Sequence, residues 1–202
     1  MAYLKVLKSL CRKIVWPKQE SILPMNYEAF DKSATQDVVD LYTRVFSDSE
    51  GREEGQTIGE LVANLISTTD PDDLLGFVAK DGNTIVGCIY FSRFFVPNGQ
   101  LAFLLSPVAV NTDTQGSGVG QGLIHYGLQK LEALSVDLVF TYGDPAYYCK
   151  TGFQQITEDI VQPPYKLSQP IGWLAQSLKE PRIIPMEGET KCVGAFSHAQ
   201  YW

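Results

Sequence analysis

The segment Gln115-Gly116-Ser117-Gly118-Val119-Gly120 sets three glycines at alternate positions between two contrasting apolar patterns. Before it, Leu101 to Val110 is the most continuous apolar run of the chain, and its length suits a buried strand. After it, Val119, Leu123, Ile124, Leu128, Leu131 and Leu134 recur every three or four residues, which is one face of a helix. A glycine-rich turn from strand to helix lets the backbone approach a ligand, and the amides at a helix start carry partial positive charge that favours phosphate. The segment therefore predicts an anion cradle. Pro107 cannot donate a ladder hydrogen bond, so the strand is expected to split or bulge at Ser106-Pro107 and leave backbone groups free for a ligand.

The surroundings alternate strand and helix signals. Met25 to Phe30 reads as a first strand, and Ser33 with Gln36 matches a capping box. Val38, Val39, Leu41, Tyr42, Val45 and Phe46 form one helical face, and Ile58, Leu61, Val62, Leu65 and Ile66 form a second. Ser47 to Gln56 reads as a polar, acidic connection between them. Leu74 to Ala79 and Thr84 to Phe91 read as strands joined by a turn at Lys80-Asp81-Gly82-Asn83, and Leu138 to Tyr142 as another strand. Asp144-Pro145 has the form of an N-cap followed by proline at the first helical position, with Gly152 ending that short helix. The part beyond Gln154 is rich in proline, with a short helix expected at Trp173 to Leu178 and a last strand near Cys192 to Phe196.

The 202 residues suffice for one sizeable core, and a formal charge of −7 argues against a nucleic-acid partner, which needs clustered Lys and Arg. A cationic or neutral partner fits better. Cys11, Cys88, Cys149 and Cys192 include no CxxC pair, and His125 and His198 are far apart, so no metal site is expected and the thiols read as reduced and cytoplasmic. No run approaches the roughly 20 apolar residues of a membrane span. Residues 1–20 form a basic amphipathic extension, with Lys5, Lys8, Arg12, Lys13 and Lys18 opposite Leu4, Leu7, Cys11, Ile14 and Val15. Packing on the domain is the expectation for it, with docking to a membrane surface or a partner as the alternative. Residues 21–202 then form a single domain with a proline-rich C-terminal part.

Two other phosphate-binding patterns do not fit. A Walker loop needs Lys and then Ser or Thr after its last glycine, whereas Gly120 is followed by Gln121 and Gly122. A dinucleotide fingerprint running from Gly118 and Gly120 needs a small residue at position 123, which is Leu123.

Asn111 to Gly120, with Leu105 to Val110 as its strand, resembles the Q/R-x-x-G-x-G/A signature of the GNAT superfamily of acyl-CoA N-acyltransferases. Tyr148-Cys149-Lys150-Thr151-Gly152-Phe153 is similar to the family's Y-x-x-x-G-F element. The resemblance covers roughly residues 25–156. It implies an α/β (α+β) domain whose mixed, mostly antiparallel, splayed central sheet is flanked by helices. It implies acetyl-CoA as co-substrate, with Val108, Ala109 and Val110 along the pantetheine arm and backbone groups of Val108 and Val110 offered to it. Gln115, Gly116, Ser117, Gly118, Val119, Gly120 and Gln121 would form the pyrophosphate turn. Tyr148 would protonate the departing thiolate, which a phenol of similar basicity can do within hydrogen-bond reach.

The same resemblance implies an N-acetyltransferase acting on an amine by direct attack in a ternary complex, since no cysteine stands in a nucleophile setting. Many members place a glutamate on the strand before the signature, but Leu101 to Asn111 holds no carboxylate. The base is then a water chain or one of Asp48, Glu50, Glu53 and Glu54, which read first as a solvated loop and, if they face the cleft, would also attract a cationic amine. The missing carboxylate supports a rival, a non-catalytic acyl-CoA-binding module of the same fold. A small-molecule or a peptide amine, and a homodimer, all stay open.

Overall fold

The computed structural model describes residues 25–202, so the expectation for residues 1–20 lies outside it. Strand β1 (Asn26–Ala29) pairs antiparallel with β2 (Leu74–Asp81), which turns at Gly82-Asn83 into β3 (Thr84–Phe95). β3 pairs antiparallel with β4 (Leu101–Val110), and β4 pairs parallel with β5 (Leu138–Tyr142). β7 (Trp173–Ser177) lies between β5 and β6 (Gln154–Gln155), antiparallel to both, and β8 (Lys191–Cys192) adds to the end of β3. The order β1-β2-β3-β4-β5-β7-β6 is the mixed, mostly antiparallel sheet expected.

Helix α1 (Thr35–Glu50) and helix α2 (Arg52–Thr68) cover one face. Val38, Leu41, Tyr42, Val45, Ile58, Val62 and Leu65 are buried there with Tyr90, Phe94, Phe140 and Trp173. Helix α3 (Val119–Ala133) covers the other face through Leu123, Ile124, Leu128 and Leu131, against Phe77, Ile89, Phe91 and Val139. Burying one large aliphatic side chain of this kind contributes about 1.5–3 kcal/mol. No helix of the described residues is long and apolar enough to cross a membrane.

Four local expectations are corrected. The capping box does not form: Asp31 accepts from the Ser33 amide at 2.8 Å to start a 3-10 turn, α1 begins at Thr35, and the Gln36 side-chain amide donates to Asp40 instead. The polar connection at 47–56 is helical except at Gly51, because Val45, Phe46, Ile58 and Leu61 on either side of it anchor two helices whose inner faces carry the core. Trp173 to Ser177 is a strand, since the Trp173 ring is fully buried against Phe94 and Phe140 and the backbone is held between β5 and β6. That pairing overrides helix propensity. The last strand stops at Cys192, and Gly194 to Phe196 is a 3-10 turn that fills the core under α2.

Gly51 turns the chain between α1 and α2 with φ 103° and ψ 163°, a region that a side chain strains by about 1–3 kcal/mol. Gly51→Ala is therefore expected to lower unfolding free energy by about that amount in a urea titration. An unchanged midpoint would mean the helices join in another conformation.

Candidate active site

β4 and β5 remain together only where Ala102, Phe103 and Leu104 face Leu138, Val139 and Phe140. Thr141 makes the last link, its hydroxyl donating to the Leu105 carbonyl at 3.0 Å. Beyond it β5 follows β7 and β4 follows β3, so among the described residues one edge of β4 from Ser106 to Val110 has no partner strand. The expected irregularity is present: Ile89 faces Val108 and Phe91 faces Leu105, so Ser106 and Pro107 both stand opposite Tyr90, and their peptide bond is cis. Two residues against one is a bulge. The Tyr42 hydroxyl of α1 lies within hydrogen-bond distance of the Cys88 carbonyl, 2.8 Å, and of the Pro107 carbonyl, 2.9 Å, which ties the bulge to the helical layer.

The chain then enters the glycine-rich turn. The Gln115 side-chain amide donates to the Val110 carbonyl at 3.0 Å, so the leading glutamine of the signature closes the end of the strand. Asn111 accepts from the Asp113 amide to start a 3-10 turn, and the Ser117 hydroxyl donates to the Thr114 carbonyl. Gly116 to Gly118 are exposed, and Gly118 reaches φ 88° at the N-cap of α3 with no side-chain cap. The first backbone bond from α3 into the turn runs from the Gly122 amide to the Gly118 carbonyl. The amides of Val119, Gly120 and Gln121 consequently have no intrahelical acceptor, and they lie at the positive end of the helix dipole.

Gly120 serves a different purpose from Gly118. It lies inside the helix, where a Cβ would collide with the Tyr147 hydroxyl and come within 3.2 Å of Val110 Cγ2. Similarly, a Cβ on Gly122 would collide with the Tyr27 hydroxyl. The sequence puts Tyr147 one residue short of the Y-x-x-x-G-F pattern and Tyr27 within the first strand, and gives neither a contact with this turn. The only local hint is the run of glycines continuing into a helix, where glycine is otherwise unfavourable.

Helix α4 (Pro145–Tyr148) follows β5. Asp144 accepts from the Ala146 amide at 2.8 Å and Pro145 takes the first position, as expected, and Gly152 closes the following 3-10 turn. Tyr148 is 7% exposed, with its ring edge-on to Tyr147 at 5.1 Å and to Phe153 at 5.9 Å. His125 and Cys149 are exposed.

The four acids divide around Gly51. Glu53 and Glu54 stand in the first turn of α2, where the helix dipole favours negative charge by about 0.3–1 kcal/mol. Burial lifts the half-buried Glu54 carboxyl above its ordinary range. Asp48 and Glu50 stand in the last turn of α1, where the same dipole disfavours them. The Thr112 hydroxyl donates to Asp48 at 2.9 Å, so the end of α1 adjoins the start of the glycine-rich turn, and both Glu50 oxygens are shielded from solvent. A separate surface groove of about 410 Å³ beside Gln100, Leu138 and Arg182 opens at the opposite end of β4 and β5.

A β4 that bulges, parts from its parallel neighbour and runs into a helix-start turn gives the splayed sheet that the resemblance to acyl-CoA N-acyltransferases implies. The acetyltransferase (GNAT) family pattern matches residues 35–153, and the chain belongs to that family as an N-acetyltransferase. It is similar to the uncharacterized N-acetyltransferase YjhQ of Escherichia coli K12, 30% identical over 168 residues that cover 80% of this chain and 88% of that protein. The crystal structure of the GNAT family N-acetyltransferase YhbS from Escherichia coli, in complex with CoA, matches with a TM-score of 0.73 at 21% identity, covering 90% of this chain and 97% of that one. A GNAT family acetyltransferase from Brucella melitensis in complex with acetyl-CoA matches with a TM-score of 0.65 at 22% identity, covering 85% and 97%.

The Asp144 cap gives a direct check on how α4 is held. Asp144→Ala is expected to reduce unfolding free energy by about 1 kcal/mol while Asp144→Asn retains most of it, measured by denaturant titration. Equal stability of all three proteins would show that the cap does not hold α4.

Proposed function

We propose that this chain transfers an acetyl group from acetyl-CoA to an amine by direct attack within a ternary complex. The observation that carries the reading is the edge of β4 that no described strand pairs with, leading straight into the amides of Val119, Gly120 and Gln121, which have no intrahelical acceptor. A pantetheine arm has amide groups that can bond to such an edge, through backbone groups of Val108 and Val110 with Ala109 between them. Its pyrophosphate then reaches the turn formed by Gln115, Gly116, Ser117, Gly118, Val119, Gly120 and Gln121. The complexes of YhbS with CoA and of the Brucella protein with acetyl-CoA support this ligand.

In the proposed reaction the neutral amine attacks the thioester carbonyl, the carbon–sulfur bond breaks, and Tyr148 hands its proton to the departing thiolate. The proton lost by the amine restores the phenol or passes to solvent. Asp48, exposed at the end of α1 beside the start of the glycine-rich turn, draws a cationic amine, which loses one proton to solvent before it attacks. Residues 21–202 work as one catalytic domain in this reading. The proline-rich C-terminal part supports it by supplying β7, which borders β5 beyond the point where β4 departs.

Incubation with acetyl-CoA and a panel of small-molecule and peptide amines, reading free thiol, tests the proposal. Acceptor-dependent thiol release is expected, and Tyr148→Phe should lower kcat by about 10²–10⁴-fold with little change in KM for acetyl-CoA. Full turnover by Tyr148→Phe would remove its acid role. Tight CoA binding without acceptor-dependent release across the panel would favour a non-catalytic acyl-CoA-binding module.

A further inference from the structure

α4 carries two neighbouring tyrosines, and the family motif accounts for Tyr148 alone. Tyr148 stands edge-on to Phe153, whereas the Tyr147 hydroxyl reaches across to Gly120 of α3. The Tyr147 hydroxyl stops against Gly120, and Val110 Cγ2 borders the same space, so it lies where the end of β4 meets the first turn of α3. This junction is where a pantetheine arm following β4 would pass to a pyrophosphate held by α3.

Three further facts give the hydroxyl a purpose. Among the described residues it has no hydrogen-bond partner, although its ring is half-buried. Burial pushes its pKa up to about 12, so the phenol remains a neutral donor at physiological pH. Gly120 is not in the left-handed region, so its conformation does not require glycine. What the absent side chain provides there is room for the Tyr147 hydroxyl.

We infer that Tyr147 donates a hydrogen bond to the pyrophosphate of bound CoA, as a donor set beside the amides of Val119, Gly120 and Gln121. The inference rests on the CoA-binding reading above. It makes Tyr147 a ligand-binding residue whose role is separate from proton transfer by Tyr148. A hydrogen bond to a charged acceptor corresponds to roughly ten- to hundred-fold in affinity.

Calorimetric titration of the full chain with CoA and with desulfo-CoA, for the wild-type protein and Tyr147→Phe, tests it. Tyr147→Phe is expected to raise Kd by about ten-fold or more for both ligands, with the thermal unfolding midpoint unchanged. Gly120→Ala, which displaces the hydroxyl while leaving the amides, is expected to weaken both ligands as well. An unchanged Kd for CoA in folded Tyr147→Phe would overturn the inference and leave the CoA reading intact. A loss seen with CoA that disappears with desulfo-CoA would also overturn it, because the hydroxyl would then act at the sulfur. Failure of the wild-type protein to bind CoA would remove the CoA reading, and the inference with it.

Discussion

Parallel pairing between β4 and β5 ends after three residues, and the rest of the site depends on that separation. Backbone amides and carbonyls in a sheet are ordinarily consumed by their neighbours. Here the Thr141 hydroxyl caps the last shared carbonyl, Tyr142 turns to Trp173 on β7, and the bulge at Ser106-Pro107 re-aims β4 while β3 holds only one of its edges. The wedge so opened is bounded by buried layers on both faces. It is therefore a fixed feature of the packing, and a ligand can pair with it without first displacing a strand.

Small side-chain contacts hold the wedge and the turn in one piece. Tyr42 ties α1 to the Pro107 carbonyl, Gln115 closes the end of β4, and Asp48 meets Thr112. Each joins elements distant in sequence or secures an end that the sheet cannot secure. The first turn of α3 is flanked by Tyr27 on the β1 side and Tyr147 on the α4 side, each in contact with a glycine. Glycine costs helix stability of about 1 kcal/mol per position relative to alanine. Its use at both 120 and 122 follows from the close approach of these rings.

The strand, the glycine-rich turn and the helix that follows it were legible because their signals are local. A strand-length apolar run, alternating glycines and a helical face adjoin one another between Leu101 and Leu134, and the proline inside the run marks the bulge. Asp144-Pro145 was legible for the same reason, since an N-cap is written in two residues. The misread parts depend on distant partners. Trp173 to Ser177 carries no strand period of its own and becomes a strand because β5 and β6 flank it. The acids from Asp48 to Glu54 suggested a loop because polarity was visible while the packing of α1 on α2 was not. The contact of Tyr147 with Gly120 joins residues 27 positions apart, and no periodicity connects them.

Hydrogen–deuterium exchange with and without CoA tests most directly whether the open edge of β4 and the following turn form the ligand site. The account predicts that CoA slows exchange of the amides at Val108 and Val110 and from Gly116 to Gln121, with little change in β1, β2 or the groove beside Arg182. Protection confined to that groove or to another surface, with residues 108–121 unaffected, would contradict it.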